Sequence, residues 1–220
     1  MATSVEFTVI TPATDLTLLT IEELRAAAGL DPTDTSQDAV LTQYEAEVAA
    51  EITSDCAIAS DGVNPPTLHA ETCSDLFRIK CPVETLLLSR RHVSDIASIA
   101  ENGVLLANTD WWLAAEPGRL VRLIGDADAC WSASKVEVVY TAGFDVIPAD
   151  LKAEAKWRIK LKKSEASRDP YQRRYRDEIP GVRLTEVDYQ IGGLERLTGD
   201  GLPSESERRL RRYMTQSMAG

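Results

Sequence analysis

Histidine is nearly absent from this 220-residue chain, and its two examples, His69 and His92, stand 23 positions apart. That scarcity removes most metal and relay motifs, which need clustered imidazoles or a nearby serine or cysteine. Cysteine is sparse too. Cys56, Cys73, Cys81 and Cys130 follow no ligand spacing, and read as buried or half-buried free thiols in a reducing compartment. No apolar run approaches the roughly 18 residues that a membrane-spanning helix needs. The opening MATSVEFTVITP has neither a basic stretch nor an apolar core, so no cleaved secretion signal is expected. Neither phosphate-binding glycine pattern, G-x-x-x-x-G-K-[ST] or G-x-G-x-x-G, occurs.

The remaining candidates for chemistry are weak. His69-Ala70-Glu71 matches the H-x-E of zinc nucleobase deaminases, which also require P-C-x-x-C. Here Cys81 precedes Pro82 and has no second cysteine at that spacing, so His69 reads as polar surface near a strand. His92 follows Arg90-Arg91 with no relay partner close in sequence. The pairs Asp126/Asp128 and Glu22/Glu23 read as solvated acids. The adjacent Trp111 and Trp112 face opposite sides of any strand, which places one ring in a core and one at a contact surface. No catalytic, cofactor-binding or metal-binding residue is assigned, and no cofactor is expected.

What the chain does have is uneven charge. Residues 1–150 hold 24 acids against 8 bases, a net of −16, whereas 151–220 hold 11 acids against 16 bases, a net of +5. An acidic body repels a polyanion, and a basic segment seeks an acidic surface.

Element signals divide the chain. Thr20-Ile-Glu-Glu23 is a capping box for a short helix over 20–29, ended by Gly29. Leu41, Tyr44, Val48, Ile52 and Cys56 recur at helical spacing and predict a helix over 36–60, with Glu45, Glu47 and Glu51 facing solvent. From 67 to 141 the period shortens. Asn102-Gly103 between apolar runs marks a hairpin, Glu116-Pro117-Gly118 a turn, and Val136–Tyr140 a strand. Pro148 opens a third helix over 149–167. Its lines Leu151/Ala155/Ile159 and Ala153/Trp157/Leu161 predict a wide apolar face flanked by Lys152, Lys156, Arg158, Lys160, Lys162 and Lys163. Periodicity then disappears from 168 to about 203, an arm rich in proline and glycine. Ser204–Met214 returns as a terminal helix, acidic first and basic last. The fold class is α+β: antiparallel helices with an inserted antiparallel β-sheet or small barrel, in a domain over 1–167, followed by an extended C-terminal arm over 168–220.

Several of these pieces together carry a resemblance. Pro82-Val83-Glu84-Thr85-Leu86 enters the β insertion, and Trp131 precedes a strand. Val136-Glu137-Val138-Val139-Tyr140-Thr141-Ala142-Gly143-Phe144 follows, and Ile147-Pro148-Ala149-Asp150-Leu151-Lys152-Ala153 opens the helix. Over roughly residues 17–165 this resembles the head–tail connector, or adaptor, proteins of long-tailed bacteriophages and gene transfer agents. The resemblance implies a virion protein without catalytic residues, made in host cytoplasm and ending at the neck. It implies a homo-oligomeric ring of about twelve beneath the portal protein, with the helices as its wall. A head-closure or tail-terminator protein would lie on the other side, and DNA would pass through the lumen without specific binding. A dodecamer would carry roughly −130 charges, which disfavours DNA sticking. Lys152, Lys156, Lys160 and Trp157 are then expected at the subunit interface, against a neighbour's acidic body. Arg208, Arg209, Arg211, Arg212 and Tyr213 are expected portal contacts, since arginine and tyrosine anchor interfaces. The alternatives are another neck protein, such as a head-closure or tail-completion factor, and a small hydrolase using scattered acids.

Overall fold

The computed structural model describes residues 3–166, 174–179, 183–188 and 205–214. It is an α+β chain with two hydrophobic cores, one inside β-structure and one among helices.

The first strand, β1 (Ser4–Thr11), pairs antiparallel with β2 (Glu71–Arg78), although 59 residues separate them. Between them lie two helices. In α1 (Ile21–Ala27), Thr20 accepts the Glu23 N–H and Glu23 accepts the Thr20 N–H, the reciprocal cap its sequence announces. The longer helix, α2 (Asp38–Asp55), is shorter at both ends than its periodicity suggests. Asp34 bonds Ser36 through both backbone and hydroxyl, a local turn that competes with helix at the N-terminus. Ala57 adopts a positive φ of 50° just past the C-terminus.

Residues 67–141 form strands and the loops between them, and β1, from outside that stretch, joins their larger sheet. After β2 the stretch contains β3 (Thr85–Leu87), β4 (Val93–Glu101), β5 (Val104–Leu105), β6 (Trp111–Ala114), β7 (Arg119–Ile124), β8 (Ala127–Ala129) and β9 (Lys135–Ala142). One sheet has the order β1-β2-β9-β4-β5; the second has β3-β7-β6, with β8 also on β7, and all pairings are antiparallel. The Asn102-Gly103 hairpin forms as its residues require, with φ of 50° and 86°. Phe77, Val136, Val138 and Tyr140 from the first sheet share a core with Leu86, Leu88 and Leu120 from the second. Trp131 is fully buried among them and aims its Nε1 at Leu120 O, 3.4 Å away. Trp111 packs against this core, whereas Trp112 faces outward beneath the Arg119 guanidinium.

The helical layer is built around α3 (Ala149–Ala166). Rising positions on α2 meet falling positions on α3 (Glu47 with Lys162, Asp55 with Arg158), so the two are antiparallel. Leu41, Val48 and Ile52 pack there with Leu151, Ala155 and Ile159. Two local expectations fail. Glu45 is buried and accepts the Leu18 N–H at 2.6 Å, because the chain leading into α1 folds over α2 and brings an amide donor. The apolar face of α3 is also narrower than expected: Ala153 and Trp157 are exposed, and the opposite flank buries Glu154 and Arg158 instead.

The remaining described residues are β10 (Arg174–Ile179), β11 (Arg183–Asp188) and α4 (Glu205–Leu210). β10 and β11 pair antiparallel, six residues against six, where the sequence lacks visible periodicity. The terminal helix occurs, shorter than predicted. The rest of the expected arm lies outside the described residues. Cys56 and Cys73 are buried, but Cys81 and Cys130 are exposed free thiols on loops beside the β core.

Candidate functional site

Asp150 and Glu154 lie one turn apart on α3 and organise the C-terminal segment. Glu154 is 0% exposed. It pairs with Arg158 at 2.9 Å, accepts Ser206 Oγ, and meets Arg209 at 3.4 Å. One turn earlier, Asp150 receives the Tyr213 hydroxyl at 2.7 Å and pairs with Arg212. Rising positions on the segment again meet falling positions on α3, so α4 is antiparallel to it. Leu210 and Tyr213, the latter 3% exposed, complete the helical core. The ring of His92 sits 4.7 Å from Phe144 and 5.6 Å from Tyr213, and Arg91 bonds the Met214 carbonyl.

These contacts sort the expected partner-binding residues. Tyr213 faces its own chain and is not an open contact, because α3 supplies both an apolar seat and an acceptor. Arg209 and Arg212 are engaged with Glu154 and Asp150. Arg208 and Arg211 are exposed.

The residues expected at a subunit interface divide similarly. Lys156 and Lys152 both reach Glu23, at 2.9 and 3.1 Å. Burial raises the Glu23 pKa, but Lys156, the Thr20 N–H and Lys152 outweigh it and hold the carboxyl near 2. Lys162 reaches Glu47 and Glu51. The acidic and basic surfaces expected to meet between copies therefore meet, in large part, within one chain. α1 and α2 lie against α3 within the chain, although the β-structure between 56 and 148 separates them from it in sequence. Trp157 (38% exposed) and Lys160 remain on the outward face of α3.

Where the β core meets the helical layer, buried polar groups fix the connection. Arg90 pairs with Glu71 at 2.7 Å and donates to Thr67 O. Tyr140 donates to Asp75 Oδ2 and accepts the Arg90 N–H. Burial pushes the Asp75 carboxyl above the usual carboxylate range, against hydrogen bonds from Ser89 and Tyr140. Gly143 has φ 109°, and a Cβ there would stand 2.3 Å from His69 O.

Among the described residues no three His, Cys, Asp or Glu side chains are grouped closely enough to hold a metal. His69 points Nε2 at Thr17 O, 2.7 Å away, while Glu71 of the same H-x-E is committed to Arg90. Burial pushes the Cys56 and Cys73 thiols up to about 12, which leaves no thiolate at neutral pH. Asp126 and Asp128 are solvent-exposed at the β7–β8 turn. A groove of about 640 Å³ lies between α2 and the segments around Leu16 and Pro66. It is walled mainly by small apolar side chains, and its carboxylate, Glu45, is already bonded to Leu18. No described helix is long and apolar enough to cross a membrane.

Many buried polar groups of the described residues thus tie one element of this α+β chain to another. The fold matches a chain in a solved structure described as the neck of an empty GTA particle computed with C6 symmetry. The TM-score is 0.56, covering 97% of this chain and 98% of that one at 16% identity. No protein-family model and no curated protein matches this sequence.

Proposed function

We propose that this chain is a structural neck protein of a phage-like particle, a head–tail adaptor that forms a ring beneath the portal and joins the DNA-filled head to the next neck or tail component. The observation that carries the reading is the end-to-end fold likeness to a chain of a GTA neck. The sequence resemblance over roughly 17–165 points to the same class from different data. The ring is expected to hold about twelve copies, a number that satisfies six-fold symmetry. Its work is mechanical: the helices form the wall, the β-structure meets a neighbour or a second neck protein, and the lumen passes DNA without binding it. A ring of identical subunits has head-to-tail contacts, so two different faces must complement each other. Trp157 and Lys160 offer one such face on α3. Arg208 and Arg211 are the portal-facing candidates, because the other basic side chains of the segment are held by α3.

Particles assembled without this protein, and particles containing an Arg208→Glu/Arg211→Glu variant, test the reading. The first should accumulate as DNA-filled heads lacking tails, and the second should lose co-purification with the portal while the monomer stays folded. Complete necks in its absence would overturn the reading. Deleting 203–220 would not separate portal binding from folding, since it also strips Leu210 and Tyr213 from the helical core.

A further inference from the structure

A pair of strands and a strand edge in this chain each lack what the other could supply. β10 and β11 form a two-stranded sheet, and among the described residues no other strand or helix lies against it. Two strands alone are marginally stable in water; a third strand or a packed face is needed. The five-stranded sheet, meanwhile, ends at one side in β5, only two residues long, and at the other in β1, eight residues long. A short edge strand is a common way to prevent unwanted pairing, and β5 fits it. β1 is protected less: Glu6 is its one charged residue, and its register slips only at the far end, between Val9 and Thr11. It contains no lysine, arginine or proline, and Val5 and Ile10 are exposed along it.

The direction of its amides can be read from one bond. The Val9 N–H goes to Asp61 Oδ2 at 3.2 Å, so it points away from β2. Successive residues of a strand alternate, and the register with β2 is regular from Ser4 to Val9. The Val5 and Phe7 N–H groups therefore point outward as well. Asp61 closes the edge at Val9 and leaves a free run over Ser4–Thr8, close to the six-residue length of β10 and β11. We propose that this run accepts the β10–β11 hairpin of a second copy of the chain, extending the five-stranded sheet across the boundary between subunits. The contact is head-to-tail, with the hairpin of one copy on β1 of the next, which is the kind that propagates around a ring. Main-chain hydrogen bonds supply the affinity, as in other strand additions. The inference rests on the ring reading and deepens it by naming the two surfaces that meet.

Cross-linking of the full-length chain tests it. With Cys81→Ser and Cys130→Ser removing the exposed thiols, Thr8→Cys and Thr185→Cys are placed in separate copies distinguishable by mass. These are mixed under assembly conditions with portal and oxidised gently. The expected result is a mixed disulfide several-fold more abundant than that formed when Val63→Cys, an exposed loop position, replaces Thr8→Cys. Adding Val5→Pro, which removes an outward N–H without touching the β2 ladder, should reduce the mixed disulfide several-fold with unchanged circular dichroism. A yield no higher than the Val63 control, with rings present by negative stain, overturns strand exchange and leaves the ring intact. Absence of both rings and cross-link overturns both. A dilute Thr8→Cys/Thr185→Cys double variant that closes within one molecule also overturns the proposal, because the hairpin would then sit on its own chain.

Discussion

The Tyr140 hydroxyl donates to Asp75 Oδ2 at 2.9 Å across the β2–β9 pair, and the hydroxyl oxygen itself accepts the Arg90 N–H at 3.2 Å. One phenol thus ties two adjacent strands and the loop before β4. Replacing Tyr140 with Phe removes a donor from a buried carboxylate and an acceptor from a buried amide. A buried group left unsatisfied costs about 1–3 kcal/mol. Y140F should unfold at a temperature several degrees lower, measured by calorimetry, with an unchanged far-UV spectrum. An unaltered Tm would contradict this account.

Gly143 should tolerate no side chain. A methyl group would meet His69 O at 2.3 Å, and φ 109° is already unfavourable for an L residue. Gly143→Ala is expected to destabilise more than Gly29→Ala, whose added Cβ would meet nothing within 4 Å. Paired denaturation midpoints of the two variants measure the difference, and equal midpoints would contradict it.

Acid should loosen the α1–α3 contact. The Glu23 carboxyl has its folded pKa depressed to about 2 from an ordinary 4.5, so its pairing contributes fully above pH 4.5. That contribution fades as pH falls from about 4.5 to about 2. Glu23→Gln should flatten the stability profile across this window and leave its shape at neutral pH alone. A titration of urea midpoints for both proteins would show whether the slope changes.

Trp157 is expected to matter to the assembly more than to the monomer. Its ring is over a third exposed on α3 and belongs to neither hydrophobic core, and exposed tryptophan is a frequent interface anchor. Trp157→Ala should shift monomer Tm by no more than a few degrees while sharply lowering the yield of rings on portal. Equal ring yields from variant and parent would remove α3's outward face from the interface.

Reversal of charge at Lys156 separates two readings of the basic helix. If it serves mainly Glu23 within the chain, Lys156→Glu will destabilise the monomer, and Glu23→Lys in the same molecule will restore much of the loss. Restoration by an acidic-to-basic change in a different copy, and not in the same one, would place the pairing between subunits.

Local rules were enough for the parts of this protein whose causes are local. The Thr20–Glu23 cap, the Asn102-Gly103 turn, the Pro148 helix start and the β-rich middle follow from residues within a few positions of one another. The tryptophan pair divided as strand alternation requires. Three features needed the whole chain. β1 has the alternating Val5, Phe7, Val9 pattern of a strand, but which edge it joins depends on β2, far along the sequence. Glu45 is buried because Leu18 supplies a donor from another segment. The lysines of α3 look like a partner-binding surface until α1 and α2 bring Glu23, Glu47 and Glu51 beside them. Sequence determined which residues are charged, which are apolar and where the chain turns, since those are properties of the residues themselves. Tertiary structure decided which charges are neutralised at home and which edges stay open, since a hydrogen bond or ion pair exists only once distant segments have been brought within about 3 Å.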